Sequence, residues 1–247
     1  MIEERSYRLL FPPGLEQRLL VVGETDLAIC LPGGIWDNAV AKGLRDQIIE
    51  QRQALQSFIV ECPEFAASHQ PLVLPVSAPP VAQKMAAAAR AAAVGPMAAV
   101  AGYFAELAGR YLLDNYGCAE VIVENGGDIF MSGSSERIIG VYAGQDNPFT
   151  GRLAVRVTPE LLPGGVCTSS GTVGSSFSYG VADAAMVIAQ DTALADAAAT
   201  ATANLVKDSS CVAAACNYAL SISGVAAALV VCGDQLAAAG QLELVQI

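Results

Sequence analysis

Residues 193–204 read A-L-A-D-A-A-A-T-A-T-A-N, an alanine run interrupted at intervals of four by polar side chains. Alanine is the strongest helix former, so the spacing predicts a helix over about 192–206. So little side-chain bulk lets neighbouring elements approach its other faces closely. Asp196, Thr200 and Asn204 then lie above one another on one face, because residues four apart share a face. A carboxylate and a hydroxyl pointing the same way suit a hard cation such as Mg2+, which takes one or two carboxylates and leaves the rest to water and phosphate. Two plainer readings stay open on spacing alone. Asp196 is also what a solvated acid near a helix start looks like, and Thr200 is able to bond back to the carbonyl four residues earlier.

Charge removes several partners. Thirteen Lys and Arg against 24 Asp and Glu leave a net −11 over 247 residues. The basic residues are scattered, so neither a nucleic acid nor an anionic membrane is an expected partner. A phosphorylated small molecule stays open, because backbone N–H groups and a metal hold phosphate without basic side chains. The seven cysteines are irregularly spaced and odd in number, in a chain large enough to fold without disulfides. They read as small core residues. A single histidine, His69, excludes most zinc sites and any mechanism that uses two histidines. The opening M-I-E-E-R-S-Y-R-L-L carries early acids and no apolar core of a signal peptide. The uncharged run from Cys211 to Gly233 is diluted by Asn217, Ser221, Ser223 and Gly224. It reads as a buried helix and a strand. A cytoplasmic location is expected.

Periodicity gives the organisation. Strands are expected over 5–10 and 18–30, then a helix over 37–60 from Val40, Leu44, Ile48, Ile49 and Leu55. Five prolines make 63–80 an irregular connection. Helices follow over 81–94 and 98–114. Strands at 119–124 and I-F-M-S flank N-G-G-D, a strong hairpin signal. Further strands are expected at 137–143, 152–158 and 184–190, with a polar loop over 167–180. A helix at 209–222 precedes a terminal hairpin of 226–232 with 242–247. The order suggests two hairpin-and-helix blocks and an α+β class, with antiparallel sheet and helices on one face.

Three segments besides the alanine-rich helix invite chemistry. In E-N-G-G-D, a type I′ hairpin accounts for Asn125 and Gly126. The second glycine, Gly127, flanked by Glu124 and Asp128, suggests close approach of a ligand to the backbone. In C-T-S-S-G-T-V-G-S-S, from Cys167 to Ser176, hydroxyls and N–H groups suit an anion, while a flexible linker fits the same composition. No lysine follows, so it is not a Walker A loop. Cys167 lacks a nearby histidine and reads as a packed thiol. In V-G-P-M, Pro96 starts a helix whose N–H groups could face phosphate. His69 reads as a loop residue, Trp36 as a core anchor and Arg90 as a snorkelling side chain.

In order, V-G-P-M-A-A-V-A-G, V-I-V-E-N-G-G-D-I, G-V-C-T-S-S-G-T-V-G and A-L-A-D-A-A-A-T-A resemble the ApbE-like proteins of bacteria and archaea, relatives of the ApbE flavin transferases. The resemblance runs from about Glu24 to the C-terminus. It implies a single 1–247 domain with T-fold-like α+β architecture, alanine-rich helices on antiparallel sheet, and an internal pseudo-repeat. The transferases split FAD with Mg2+ and attach FMN to a threonine of an acceptor protein. By that resemblance Asp196 and Thr200 are metal ligands, joined by a carbonyl near 94–98. A flavin nucleotide, FAD or FMN, would be lined by Gly95, Pro96, Met97, Glu124, Asn125, Gly126, Gly127 and Asp128. On its other side would stand Thr168, Ser169, Ser170, Gly171 and Thr172. Asp183 or Asp128 would serve as base. The chain departs from the transferases in lacking their His-x-x-Asp-Pro motif and a helix lysine. Ser175 stands where its own subfamily carries histidine. The alternative is an accessory protein of sulfide assimilation into homocysteine, with Cys167 as sulfur carrier. Close helix packing and low charge density are compatible with a homodimer.

Overall fold

The computed structural model describes residues 12–173 and 178–247; the strand expected over 5–10 and Ser175 lie outside them. The chain opens with the hairpin β1 (Glu16–Val22) and β2 (Thr25–Leu31). Four helices follow: α1 (Asn38–Glu61), α2 (Glu64–Ala67), α3 (Pro80–Ala91) and α4 (Val100–Tyr116). Next come β3 (Val121–Asn125), β4 (Asp128–Ser132), β5 (Arg137–Gly140), β6 (Leu153–Val157), β7 (Gly164–Ser169) and β8 (Ala184–Ala189). The helices α5 (Thr192–Leu205) and α6 (Val212–Ser221) precede β9 (Val225–Cys232), β10 (Gln235–Gly240) and β11 (Glu243–Gln246).

Eight strands form one sheet in the order β1-β2-β3-β4-β7-β8-β9-β10, antiparallel at every pairing. The helices cover one face. Their shared core holds Leu44, Ile48, Met85, Phe104 and Leu112 against Ile29, Val123 and Phe130 of the sheet. The other face is also covered, which the sequence did not suggest. A second sheet, β11-β6-β5, lays Val155 and Val157 against Ile122, Met131, Ile188 and Leu229. Burial on both faces explains why β8 reads A-A-M-V-I-A without alternation: all six residues are buried.

Three expected boundaries move. The run expected as one strand over 18–30 is the β1–β2 hairpin, turned at Gly23, whose φ is +60°. The region of five prolines contains the single turn α2. The expected terminal hairpin is two different pairings: β9 pairs β10, while β11 leaves for β6 in the second sheet. The strand β10 carries A-A-A-G, which propensity assigns to helix. Cross-strand pairing with β9 overrides that weak preference.

The end of α3 sets up the site. Val94 N–H donates to Ala89 O at 3.0 Å and Ala93 N–H to Arg90 O at 3.3 Å. This is a Schellman closure, which places its next residue in the left-handed region. That residue is Ala93, at φ +57°. A Cβ there costs about 1–2 kcal/mol, so Ala93→Gly is expected to raise stability by about 1 kcal/mol in urea denaturation. A fall in the midpoint would contradict this account of the turn.

Candidate functional site

Helix α5 begins with Asp191, whose carboxylate accepts from Leu194 N at 3.0 Å and pairs with Lys84. The buried Glu106 of α4 accepts from Thr192 N at 3.0 Å. With its N-terminus fixed twice, the helix sits among α3, α4, α6, β7 and β8. Ten of its fourteen residues are buried, the close packing its alanines permit.

The polar stripe now separates into distinct roles. Asp196 lies beyond the first turn and is only 6% exposed, so it is not a solvated helix-start acid. Helix α4 has no side-chain cap of its own at Ala99. Asp196 supplies one from α5, its Oδ2 accepting from Gly102 N at 2.8 Å. Thr200 does not bond back along its helix; Thr202 does so, to Ala198 O at 2.7 Å. The Thr200 hydroxyl instead meets Ser169 Oγ of β7 at 3.1 Å. Asn204 Oδ1 accepts from Tyr179 N at 2.8 Å and Ser178 Oγ at 3.1 Å.

The Asp196, Thr200 and Asn204 side of α5 lines a cavity of about 700 Å³ at the strand ends around the β3–β4 turn and the end of β7, a volume typical of small-molecule sites. Its wall brings together Gly95, Met97, Glu124, Asn125, Gly126, Gly127 and Asp128 with Thr168, Ser169, Ser170, Asp196 and Thr200. The β3–β4 turn is a two-residue loop with φ +70° at Gly126 and +103° at Gly127. Both glycines are therefore required by the turn itself, and the second glycine is not by itself a sign of ligand approach. Glu124 closes the turn by accepting from Gly127 N at 2.8 Å, and Asn125 Nδ2 donates to Ala101 O at 3.0 Å.

Five expected residues stand outside the wall. Pro96 is buried in a short 3-10 turn, Pro96–Ala99. Gly171 N donates to Ala182 O at 2.8 Å. Thr172 Oγ1 donates to Asp183 Oδ1 at 2.7 Å, and Asp183 Oδ2 accepts from Gly233 N at 2.7 Å and Asn147 Nδ2 at 3.1 Å. Asp183 thus fastens three loops with both of its oxygens engaged. Cys167 is fully buried beneath the wall, its Sγ 3.5 Å from Thr192 O. Burial first, then the neighbouring Asp128 and Asp196 carboxylates, push its pKa well up. That direction favours the thiol over the thiolate. The wall residues not expected from the sequence include Glu24, Tyr142, Tyr179, and His69 from the connection after α2.

The electrostatics converge on two carboxylates. Asp128 is 7% exposed and its Oδ1 has no hydrogen-bond partner. Burial raises its pKa well above the usual range, with the Asp196 charge adding to it. Burial likewise raises Asp196 to about 7, against the opposing pull of the Gly102 and Ala101 N–H groups. Two acids in one dry place, one with an orphaned oxygen, are relieved by a shared proton or a cation. Glu24 and Glu124 add carboxylates to the wall, and among the described residues no Lys or Arg lines it. Among the described residues no three His, Cys, Asp or Glu converge as a metal centre would, so a cation here would draw remaining ligands from hydroxyl, carbonyl, water or its own anion.

This alanine-rich α+β fold with a carboxylate-lined cavity defines a class that comparison with known proteins identifies. The family model described as AbpE bacteria matches residues 9–237, and the chain belongs to that family. It is 41% identical over 197 residues to a UPF0280 protein of Methanocella arvoryzae, covering 80% of this chain and 79% of that one. It is 38% identical over 190 residues to a UPF0280 protein of Methanocaldococcus jannaschii, covering 76% and 74%. The fold is that of solved ApbE proteins. The Thermotoga maritima ApbE protein superposes with TM-score 0.55 at 14% identity, covering 93% of this chain and 96% of that chain. A mutant of the Vibrio cholerae flavin transferase ApbE gives 0.51 at 12%, covering 91% and 97%. Among the described residues no single helix is long and apolar enough to cross a membrane.

Proposed function

We propose that the cavity binds a flavin nucleotide, FAD in first place, through Mg2+, and that the protein is an FAD-cleaving or FMN-transferring enzyme. The observation that carries this is the buried Asp128–Asp196 pair in a wall that, among the described residues, has no Lys or Arg. A pyrophosphate would be repelled by such a wall unless a cation came with it. The donor set fits Mg2+: two carboxylates, the Thr200 hydroxyl beside Ser169, and nearby main-chain carbonyls, all hard oxygen ligands. The orphaned Asp128 Oδ1 is the donor that such an ion would use.

Mg2+, when bound, would neutralise charge developing on the phosphates as the pyrophosphate bond breaks. The chain's own part is positioning. The Gly102 N–H holds one Asp196 oxygen in place, and Ser169 orients Thr200. In transfer, the P–O–P bond of FAD breaks, AMP leaves, and an acceptor hydroxyl bonds to the FMN phosphorus as its proton departs. In cleavage, water takes the place of the hydroxyl. With Asp128 holding the cation, that proton would pass to solvent water. Titrating FAD in Mg2+ and in EDTA, with mass spectrometry for AMP and for a +FMN protein mass, tests the reading. Binding only with Mg2+ is expected; equal binding in EDTA, or none in either, overturns it.

A further inference from the structure

We propose that His69 and Tyr179 form the seat for the ring system of the ligand, an aromatic heterocycle joined to phosphate. The proposal rests on the nucleotide reading above and adds a second contact at the far end of the cavity. The two side chains come from distant parts of the chain, and both line the wall. Their ring centroids are 5.4 Å apart at 71°. Rings set at that angle form an open corner: a flat heterocycle laid on one ring meets the edge of the other, the arrangement aromatic quadrupoles favour.

Both backbones are held by neighbouring segments while both side chains keep exposed surface. A Cβ on Gly95 would stand 1.9 Å from Ser68 O and 2.9 Å from His69 Cα. The segment carrying His69 therefore lies directly on the turn after α3. Tyr179 is gripped on both sides of its peptide, by Asn204 Oδ1 on its N–H and by Lys207 Nζ at 2.6 Å on its carbonyl. Behind it, Gly180 packs so closely that a Cβ would meet Ala203 O at 1.9 Å. Yet the Tyr179 residue remains 55% exposed and His69 is exposed too. Two anchored, open aromatic side chains on a cavity wall form a site prepared in advance, which limits the ordering cost of binding.

The distance fits. Asp196 and Asn204 are eight residues apart on α5, a rise of about 12 Å. The carboxylate pair and the aromatic corner thus stand at opposite ends of one polar stripe, about as far apart as a phosphate and its ring system across a sugar or ribityl spacer. The sole histidine and a tyrosine serve one end, and the acids serve the other.

The test measures FAD, FMN and ADP affinities by calorimetry at saturating Mg2+, for the full chain and for His69→Ala, Tyr179→Ala and Tyr179→Phe. Stacked bases lose about 5- to 100-fold on alanine substitution, and that loss is expected for both alanine variants. The phenylalanine variant stays within about 2-fold, since it keeps the ring. Mn2+ affinity without nucleotide is unchanged in all three. Loss for FAD and ADP but not FMN assigns the seat to the purine. Loss for FAD and FMN but not ADP assigns it to the isoalloxazine. Alanine variants that lower the melting temperature yet bind all three nucleotides as the parent does overturn the seat and leave a loop-stabilising pair. A parent protein that binds none of the three overturns the nucleotide reading and the seat with it.

Discussion

Asp196→Asn is expected to abolish Mg2+-dependent nucleotide binding while leaving the metal-free protein more stable at pH 8. The two effects separate the roles that Asp196 combines. As a cap for α4 it needs only an acceptor oxygen, which asparagine supplies equally well. As a metal ligand it needs charge. Even partners behind the metal ligands typically cost 10–100-fold when removed, so loss of the ligand is expected to exceed about 100-fold in Mn2+ or Mg2+ affinity. The pH dependence follows from the direction of the shift. Burial holds Asp196 neutral to about pH 7, against about 3.9 in an unfolded chain. Between those values the folded state binds the extra proton, so this group's contribution falls as pH rises through the window. Thermal melts in EDTA from pH 4 to 8 should show a smaller decline for Asp196→Asn than for the parent. At pH 8 the variant should melt at least about 2–4 °C higher, the shift 1 kcal/mol gives in a chain of this size. A variant that melts lower at pH 8 and binds Mn2+ normally would leave Asp196 a cap and nothing more.

Gly102→Ala is expected to be strongly destabilising, although alanine is the better helix former by about 1 kcal/mol. A Cβ at Gly102 would stand 2.4 Å from Thr192 O and 2.8 Å from Asp196 Cβ. The first is backbone and cannot swing aside, so α4 and α5 must separate. Overpacking of this kind costs about 1–3 kcal/mol or more, and the net loss is expected near 2 kcal/mol, or about 4–8 °C in melting temperature. The same separation stretches the Gly102–Asp196 bond and should weaken Mn2+ binding together with stability. A rise in melting temperature would show that the helices have room to adjust and that propensity decides.

The sequence announced what local rules control. Alanine content located α5, the four-residue spacing put Asp196, Thr200 and Asn204 on one face, and Asn-Gly-Gly marked the β3–β4 turn. What escaped it depends on distant partners. His69 sits in an aperiodic, proline-rich connection, and only the close approach of Gly95 to Ser68 brings it to the wall. The start of T-S-S-G looked like loop, but β4 and β8 supply the ladder that makes Cys167, Thr168 and Ser169 the end of β7. The position of Asp183 outside the wall was not legible because its partners, Asn147, Thr172 and Gly233, lie in three separate loops. The three strands of the second sheet were legible, but not their assembly, since β11 pairs with β6 across most of the C-terminal half.

The cavity wall draws on segments from Glu24 to Asn204. No subset of the fold completes it, so a ligand reaching from the acids to the aromatic corner would act as a reversible cross-link across most of the chain. Occupancy would then oppose global unfolding as well as local opening. Resistance of the whole protein to proteolysis becomes a gauge of how much nucleotide and metal it holds.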